Sequence, residues 1–305
     1  MQQQFPTIRL AALDLDGTLL NRKGEVTPRT RAALAAAVEH GVVVVPTTGR
    51  PLANLPAVVA QLPGVRYAIT SNGAAVWDLG SEPMAAIHSR YSNASEHHTT
   101  EPVCLTRNLF TPEKAREVYA LYKEYEENGE LNIFSDGRSY KTPEGMERVA
   151  VRMGKYLSSE GNQTVQDGRF TVVRGYDSWM SRQAHTIEKF CMFFDSAEAA
   201  HAALPRFLAL KDVEVVQGSP DNIEVTARKV DKGEALLELA ALLGIAKEQT
   251  LAIGDSENDR AMLQKAGVAA VMANGMAHIK EMADIVSTAD CDHDGVAELF
   301  ERLHL

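Results

Sequence analysis

Ile8-Arg9-Leu10-Ala11-Ala12-Leu13-Asp14-Leu15-Asp16-Gly17-Thr18 passes abruptly from a mostly apolar run to two carboxylates two positions apart. A short apolar run from Ile8 to Leu13 predicts a buried, central strand whose C-terminal end carries something polar. After it, Thr27-Pro28 supplies an N-cap and a proline at the first helical position. Arg29 to His40 is then alanine-rich, with Gly41 as its stop. Val42 to Pro46 is a β-branched run, Pro51 to Gln61 a second helical stretch, and Tyr67 to Thr70 another short strand. Strand and helix alternating in this way predict an α/β fold with a parallel sheet and helices on both faces. Ligands of such sheets lie beyond the C-terminal ends of the strands, so the loops after Leu13 and Pro46 are the first suspects.

From about Ala86 the rhythm changes. Polar stretches run over Ser89 to Pro102 and Arg152 to His185, Thr111-Pro112 opens a helix reaching Glu127, Ile187 to Phe194 is an apolar strand, and Ala197 to Leu208 is a helix. These features predict an inserted α+β domain over 86–219. The first rhythm then returns, with helix Lys232 to Leu243 stopped by Gly244, strand Leu251 to Ile253, helix Glu257 to Ala266 and strand Val268 to Met272. Residues 1–85 and 220–305 are thus expected to form one core interrupted by one insert.

The chain has 305 residues, 24% of them charged and 45% hydrophobic, which is ordinary globular usage. A formal net charge of −10, with no dense run of Lys and Arg, argues against nucleic acid and anionic membranes as partners. An anionic substrate would therefore need a few placed cations, a bound metal or helix N-termini to offset the global field. Cys104, Cys191 and Cys291 are far apart and form no disulfide framework, and Met1 to Arg9 lacks an export signal. With no stretch of 18 consecutive apolar residues, a cytoplasmic, non-membrane protein is expected. The oligomeric state is left open.

Four segments carry chemistry. Asp14 and Asp16 repel unless a cation or a shared proton offsets them, so the pair points to a hard divalent metal, Mg²⁺ first, with one Asp as nucleophile on phosphorus and the other as acid and base. Read alone, the same residues also suit an acidic solvated turn. Thr47-Thr48-Gly49-Arg50 offers hydroxyls, a backbone N–H and a guanidinium fit to cradle phosphate, or equally a helix N-cap with a solvated arginine. Lys232-Gly233 places an ammonium at a helix N-terminus, where the macrodipole disfavours it unless an anion also binds; a surface lysine beside Asp231 is the plainer reading. Gly254-Asp255-Ser256-Glu257-Asn258-Asp259 brings a further acid to the end of a strand, and also reads as a capped helix start.

Together, in order and spacing, DLDGT, TGR, KG and GDSEND resemble the haloacid dehalogenase superfamily, and the long insert between TGR and KG is similar to that of its Cof-type phosphatases. The resemblance implies a Rossmann-like core with an inserted C2-type cap. It also implies an Mg²⁺-dependent phosphatase acting on a small phosphorylated metabolite such as a sugar phosphate, nucleotide or cofactor phosphate. Asp14 would be the nucleophile and Asp16 the general acid/base, its backbone carbonyl also on the metal with Asp14 and Asp255. Thr48, the Gly49 amide, Lys232 and Asn258 would hold phosphoryl oxygens, and Asp259 would orient Lys232 or water at the metal. Dehalogenases of the superfamily lack an acid at position 16 and its P-type ATPases carry threonine there, so both chemistries are disfavoured. Ser71-Asn72-Gly73-Ala74 and Asp292-His293-Asp294-Gly295-Val296 resemble the group more weakly. Thr47, where many relatives have alanine, and the long polar 152–185 region depart from its pattern.

A phosphomutase and a non-catalytic phosphometabolite-binding regulator are the competing functions. Intact acids at 14, 16 and 255 argue against the binder. His97-His98 reads as a solvated loop, Tyr119, Tyr122 and Tyr125 as a packed helix face, and Trp179-Met180 as either a lid or a packing anchor.

Overall fold

The computed structural model describes residues 5–80, 102–160 and 170–305, so His97-His98 lies outside the described residues. In chain order the strands are β1 (Leu10–Leu13), β2 (Val43–Pro46), β3 (Tyr67–Thr70), β4 (Ala75–Asp78) and β5 (Val103–Arg107). There follow β6 (Gly129–Ser135), β7 (Arg138–Lys141), β8 (Phe170–Val172), β9 (Ile187–Phe194), β10 (Val213–Val216) and β11 (Asn222–Ala227). The last are β12 (Thr250–Gly254), β13 (Val268–Val271) and β14 (Ile285–Val286). The described residues of Met1–Arg50, Leu55–Arg107 and Val230–Leu305 form one unit, and Pro51–Asn54 with those of Asn108–Lys229 form a second.

In the first unit β14-β13-β12-β1-β2 make a wholly parallel sheet. Central β1 is buried at every position because helices cover both faces, which is why it reads as an unbroken apolar run. Leu13 aligns with Pro46 on one side and Ile253 on the other. Parallel strands share a direction, so Asp14, Thr47 and Asp255 leave the sheet at the same rim. The helix Pro28–Glu39 starts as its sequence predicts: Thr27 Oγ1 accepts the Thr30 amide at 3.2 Å and Pro28 occupies the first turn. The helix Lys232–Leu242 is capped by Asp231, which accepts the Gly233 and Glu234 amides at 2.8 Å each. It buries Leu236 and Leu239 against Leu10, Val45, Ile69 and Ala252 of the sheet; each such leucine contributes roughly 1.5–3 kcal/mol through apolar burial.

The expected helix from Pro51 to Gln61 is instead a 3-10 turn, Leu52–Asn54, and one short helix, Ala57–Ala60. Pro56 stands between them in an extended conformation, and a proline disfavours helical backbone at the residue before it. Likewise Glu257 to Ala266 divides into a 3-10 turn, Glu257–Asp259, and the helix Arg260–Lys265. The unit boundaries also differ from 86 and 219. β5 pairs with β4 in the antiparallel ribbon β3-β4-β5 of the first unit, whereas β11 pairs with β9 and β10 in the second. Composition marks a change of character, but strand pairing decides membership.

The second unit is a six-stranded sheet, β10-β11-β9-β6-β7-β8, antiparallel except for β7 with β8. One face carries an aromatic core with the helices Pro112–Lys123, Tyr176–Gln183 and Ala197–Leu208. The three tyrosines pack as expected: Tyr119 meets Tyr176, Tyr122 meets Phe207 and Tyr125 meets Phe194, with ring centroids 6.1, 4.7 and 5.9 Å apart. Trp179 and Met180 are buried in the same core, which makes them anchors. The sequence reading did not find the β6–β7 hairpin, turned at Asp136-Gly137 with both residues at positive φ, or the helix Pro143–Glu160. Part of the 152–185 region lies outside the described residues; the rest contains the end of that helix, β8 and Tyr176–Gln183. Among the described residues no helix is long and apolar enough to cross a membrane, and Cys191 and Cys291 are buried free thiols.

Candidate active site

Asp14 follows β1 directly; its amide donates to Ile253 O at 3.0 Å, which fixes where the side chain leaves the sheet. The carboxyl is buried, and Oδ1 accepts Lys232 Nζ at 2.6 Å. Lys232 is fully buried at the start of its helix and donates also to Asp259 Oδ1 at 2.7 Å. Two carboxylates thus offset the macrodipole that opposes an ammonium there. Asp259 Oδ2 accepts the Asp255 and Ser256 amides at 2.9 and 3.1 Å, so both its oxygens are engaged. Asp255 Oδ1 accepts Thr18 Oγ1 at 2.9 Å.

Carboxylate oxygens of Asp14, Asp255 and Asp259 all lie within 4.8 Å of one another. Burial, then the Asp259 charge, push the Asp14 carboxyl well above its ordinary range, against the pull of Lys232. Burial and Asp259 likewise push Asp255 up to about 6, opposed by the Thr18 hydrogen bond. Burial lowers the Lys232 ammonium, but Asp14 and Asp259 outweigh it and hold it above its usual value. With all three ionised, the carboxylates against one ammonium would leave an excess of two negative charges in a largely buried cluster. That is a donor set of hard oxygens suited to a divalent cation.

Gly17 makes the crowding possible. Its φ is +85°, and a Cβ there would sit 2.7 Å from Asp255 Oδ2, so both the turn and the approach exclude a side chain.

The side chain of Asp16 is not part of this cluster. It is largely exposed and paired with Arg50, whose Nε and Nη2 reach its two oxygens at 3.0 and 2.6 Å. Thr48 is buried, its Oγ1 accepting the Arg50 amide at 3.1 Å, and Gly49 lies in the same bend. Asn258 Oδ1 accepts Ser256 Oγ at 2.8 Å within the Glu257–Asp259 turn. Sequence reasoning missed Thr18, the pairing of Arg50, and Asn274. The last donates to Gly17 O at 2.7 Å and accepts the Cys291 amide at 3.0 Å. Its position just past β13, on the same rim, is the signal that could have singled it out.

The haloacid dehalogenase-like hydrolase family matches the chain over residues 11–300. The chain belongs to this family. Among curated relatives of this hydrolase, phosphatase YwpJ of Bacillus subtilis is 29% identical, with 97% of this chain and all of that one covered. The 5-amino-6-(5-phospho-D-ribitylamino)uracil phosphatase YcsE of the same organism is 26% identical, over 98% of this chain and 96% of its own length. The solved structure of a haloacid dehalogenase-like hydrolase from B. subtilis superposes with a TM-score of 0.77 at 26% identity, covering 97% of this chain and 100% of that one. The chain is a Cof-type hydrolase of the family, a phosphatase with an α/β parallel-sheet core.

Proposed function

We propose that the chain hydrolyses the phosphate monoester of a small metabolite with Mg²⁺, through an aspartyl phosphate on Asp14. The observation that carries this reading is the buried, unbalanced cluster of Asp14, Asp255 and Asp259 around Lys232. Asp259 has both oxygens engaged, so Asp14 and Asp255, with the Asp16 backbone carbonyl, would hold the metal. A divalent cation bound there supplies charge neutralisation for the transferring phosphoryl group.

The remaining work falls to the chain. A carboxylate oxygen of Asp14 attacks phosphorus as the bond to the ester oxygen breaks, and Asp16 gives that oxygen its proton. Asp16 then takes a proton from water as it attacks phosphorus, which releases inorganic phosphate and restores Asp14. Lys232, the Thr48 hydroxyl, the Gly49 N–H and Asn258 hold the phosphoryl oxygens, and Asp259 keeps Lys232 aimed. The relatives' activities, one of them on a ribityl phosphate ester, support a small phosphorylated metabolite as substrate.

Asp14→Asn is expected to abolish phosphate release from para-nitrophenyl phosphate while leaving the circular dichroism spectrum unchanged, because an amide cannot form the acyl phosphate. Chelation should silence the native chain and added Mg²⁺ restore it. Full turnover by the asparagine variant would refute the mechanism.

A further inference from the structure

Asp16 has a demanding task in the mechanism proposed above, yet its side chain is 62% exposed on a loop, so packing does not set its rotamer. Arg50 does. Nε donates to Oδ2 at 3.0 Å and Nη2 to Oδ1 at 2.6 Å, a two-pronged contact that fixes the plane of the carboxylate as well as its position. An exposed ion pair of this kind contributes only ~0–1 kcal/mol to stability. Stability therefore does not account for a guanidinium held at this spot.

The arm that carries the guanidinium is itself fixed. The Arg50 amide donates to Thr48 Oγ1 at 3.1 Å, and the Arg50 carbonyl accepts the Ser71 amide at 2.9 Å. Ser71, Asn72 and Gly73 stand at φ of 52°, 57° and 97°, three positive values in succession, and the Asn72 amide donates to Thr48 O at 3.1 Å. At Gly73 a Cβ would lie 2.2 Å from Asp231 O, next to Lys232, so this strained turn is wedged against the start of the lysine's helix. The chain thus fixes the base of Arg50 on the same framework that places Lys232.

We infer that Arg50 is a positioning residue that aims the Asp16 carboxyl at the departing ester oxygen and then at the attacking water. The fork uses one lone pair on each Asp16 oxygen, which leaves another on each for the proton in transit. The inference rests on Asp16 being the acid and base of the proposed mechanism, and it assigns Arg50 no contact with phosphate.

Its test is a leaving-group series of para-nitrophenyl, phenyl and benzyl phosphate with Mg²⁺, read as kcat/KM for Arg50→Ala, Arg50→Lys and Asp16→Asn, each first checked for a native melting temperature. Misaiming an acid matters little for an acidic phenol and most for an alkoxide, so Arg50→Ala should lose about 3-fold on the first substrate and about 100-fold on the last. Arg50→Lys, which keeps the charge but not the fork, should show the same gradient, and free guanidinium ion should restore Arg50→Ala. Asp16→Asn should be graded in the same sense and more steeply. A graded Asp16→Asn series beside an even loss for Arg50→Ala, with KM raised throughout, would make Arg50 a phosphate ligand and overturn this inference alone. An even Asp16→Asn series would overturn the assignment of Asp16 and the inference with it.

Discussion

Each unit of the molecule buries charge, and the two do it differently. On the six-stranded sheet of the second unit, Lys141 faces Glu130 at 3.0 Å and Lys189 faces Glu224 at 2.9 Å, both lysines 1% exposed, and the buried Glu188 accepts the Gly137 amide at 2.8 Å. Asn222 Nδ2 donates to Glu224 at 3.1 Å, and Lys189 Nζ lies 4.6 Å from the centre of the Phe134 ring. Beyond the ends of the parallel strands of the first unit, Lys232 pairs with Asp14 and Asp259, and Asp255 clusters with both carboxylates. Ion pairs and backbone donors across strands are a way to keep charge in a folded sheet. A crowded carboxylate cluster at strand ends destabilises the bare protein unless a further cation or a shared proton offsets it.

The largest effect that could break this comparison is in the second unit. Lys189→Met should lower stability by ~3–5 kcal/mol in urea unfolding, because the buried Lys189–Glu224 ion pair is broken from one side, and adding Glu224→Leu should recover most of the loss. A single variant as stable as the native chain would show that these pairs do not hold the sheet. In the first unit the sign should reverse. Asp255→Asn, measured in chelator at neutral pH, should raise stability by about 1 kcal/mol by relieving the crowding with Asp14 and Asp259. A lower melting temperature for the metal-free variant would mean that the cluster is not under electrostatic strain.

The smallest effect sharpens the contrast with a carboxylate satisfied mainly by backbone amides and a hydroxyl. Burial would raise the Glu298 carboxyl, but the Thr288 and Ala289 amides, the Thr288 hydroxyl and Arg302 outweigh it and draw it down to about 2. Its folded value is depressed, so its contribution is complete above the ordinary carboxylate range near 4.5 and is lost as pH falls towards 2. Glu298→Gln should therefore cost ~1 kcal/mol at neutral pH, and the gap between the two unfolding curves should narrow in that acid window. A gap unchanged down to pH 2 would rule out the charge as its source.

The contrast also explains what could be read in advance. β1, β2 and β12 are buried on both faces, so each is an apolar run with its polar residues at the end, and the run and its end are both visible in the chain. β6, β7, β9 and β11 place Glu130, Lys141, Lys189 and Glu224 inside strands, where each is tolerated only because a partner lies across the sheet. β9 is legible all the same as the apolar run Ile187 to Phe194, whereas β6, β7 and β11 read as polar loop until the partner is known. Pro56, plain in the chain, is what divides the expected 51–61 helix.

The sequence alone determined that a parallel sheet gathers Asp14, Thr48, Lys232 and Asp255 towards one rim, because strand polarity and the apolar runs allow few other arrangements. Only the tertiary structure decided that Asp259 joins the carboxylate cluster, that Asp16 turns to Arg50, and that Thr18 reaches Asp255 across 237 positions of chain. The direction of a side chain at the end of a strand depends on which distant donor reaches it first, and that is set by packing between segments the linear order keeps apart.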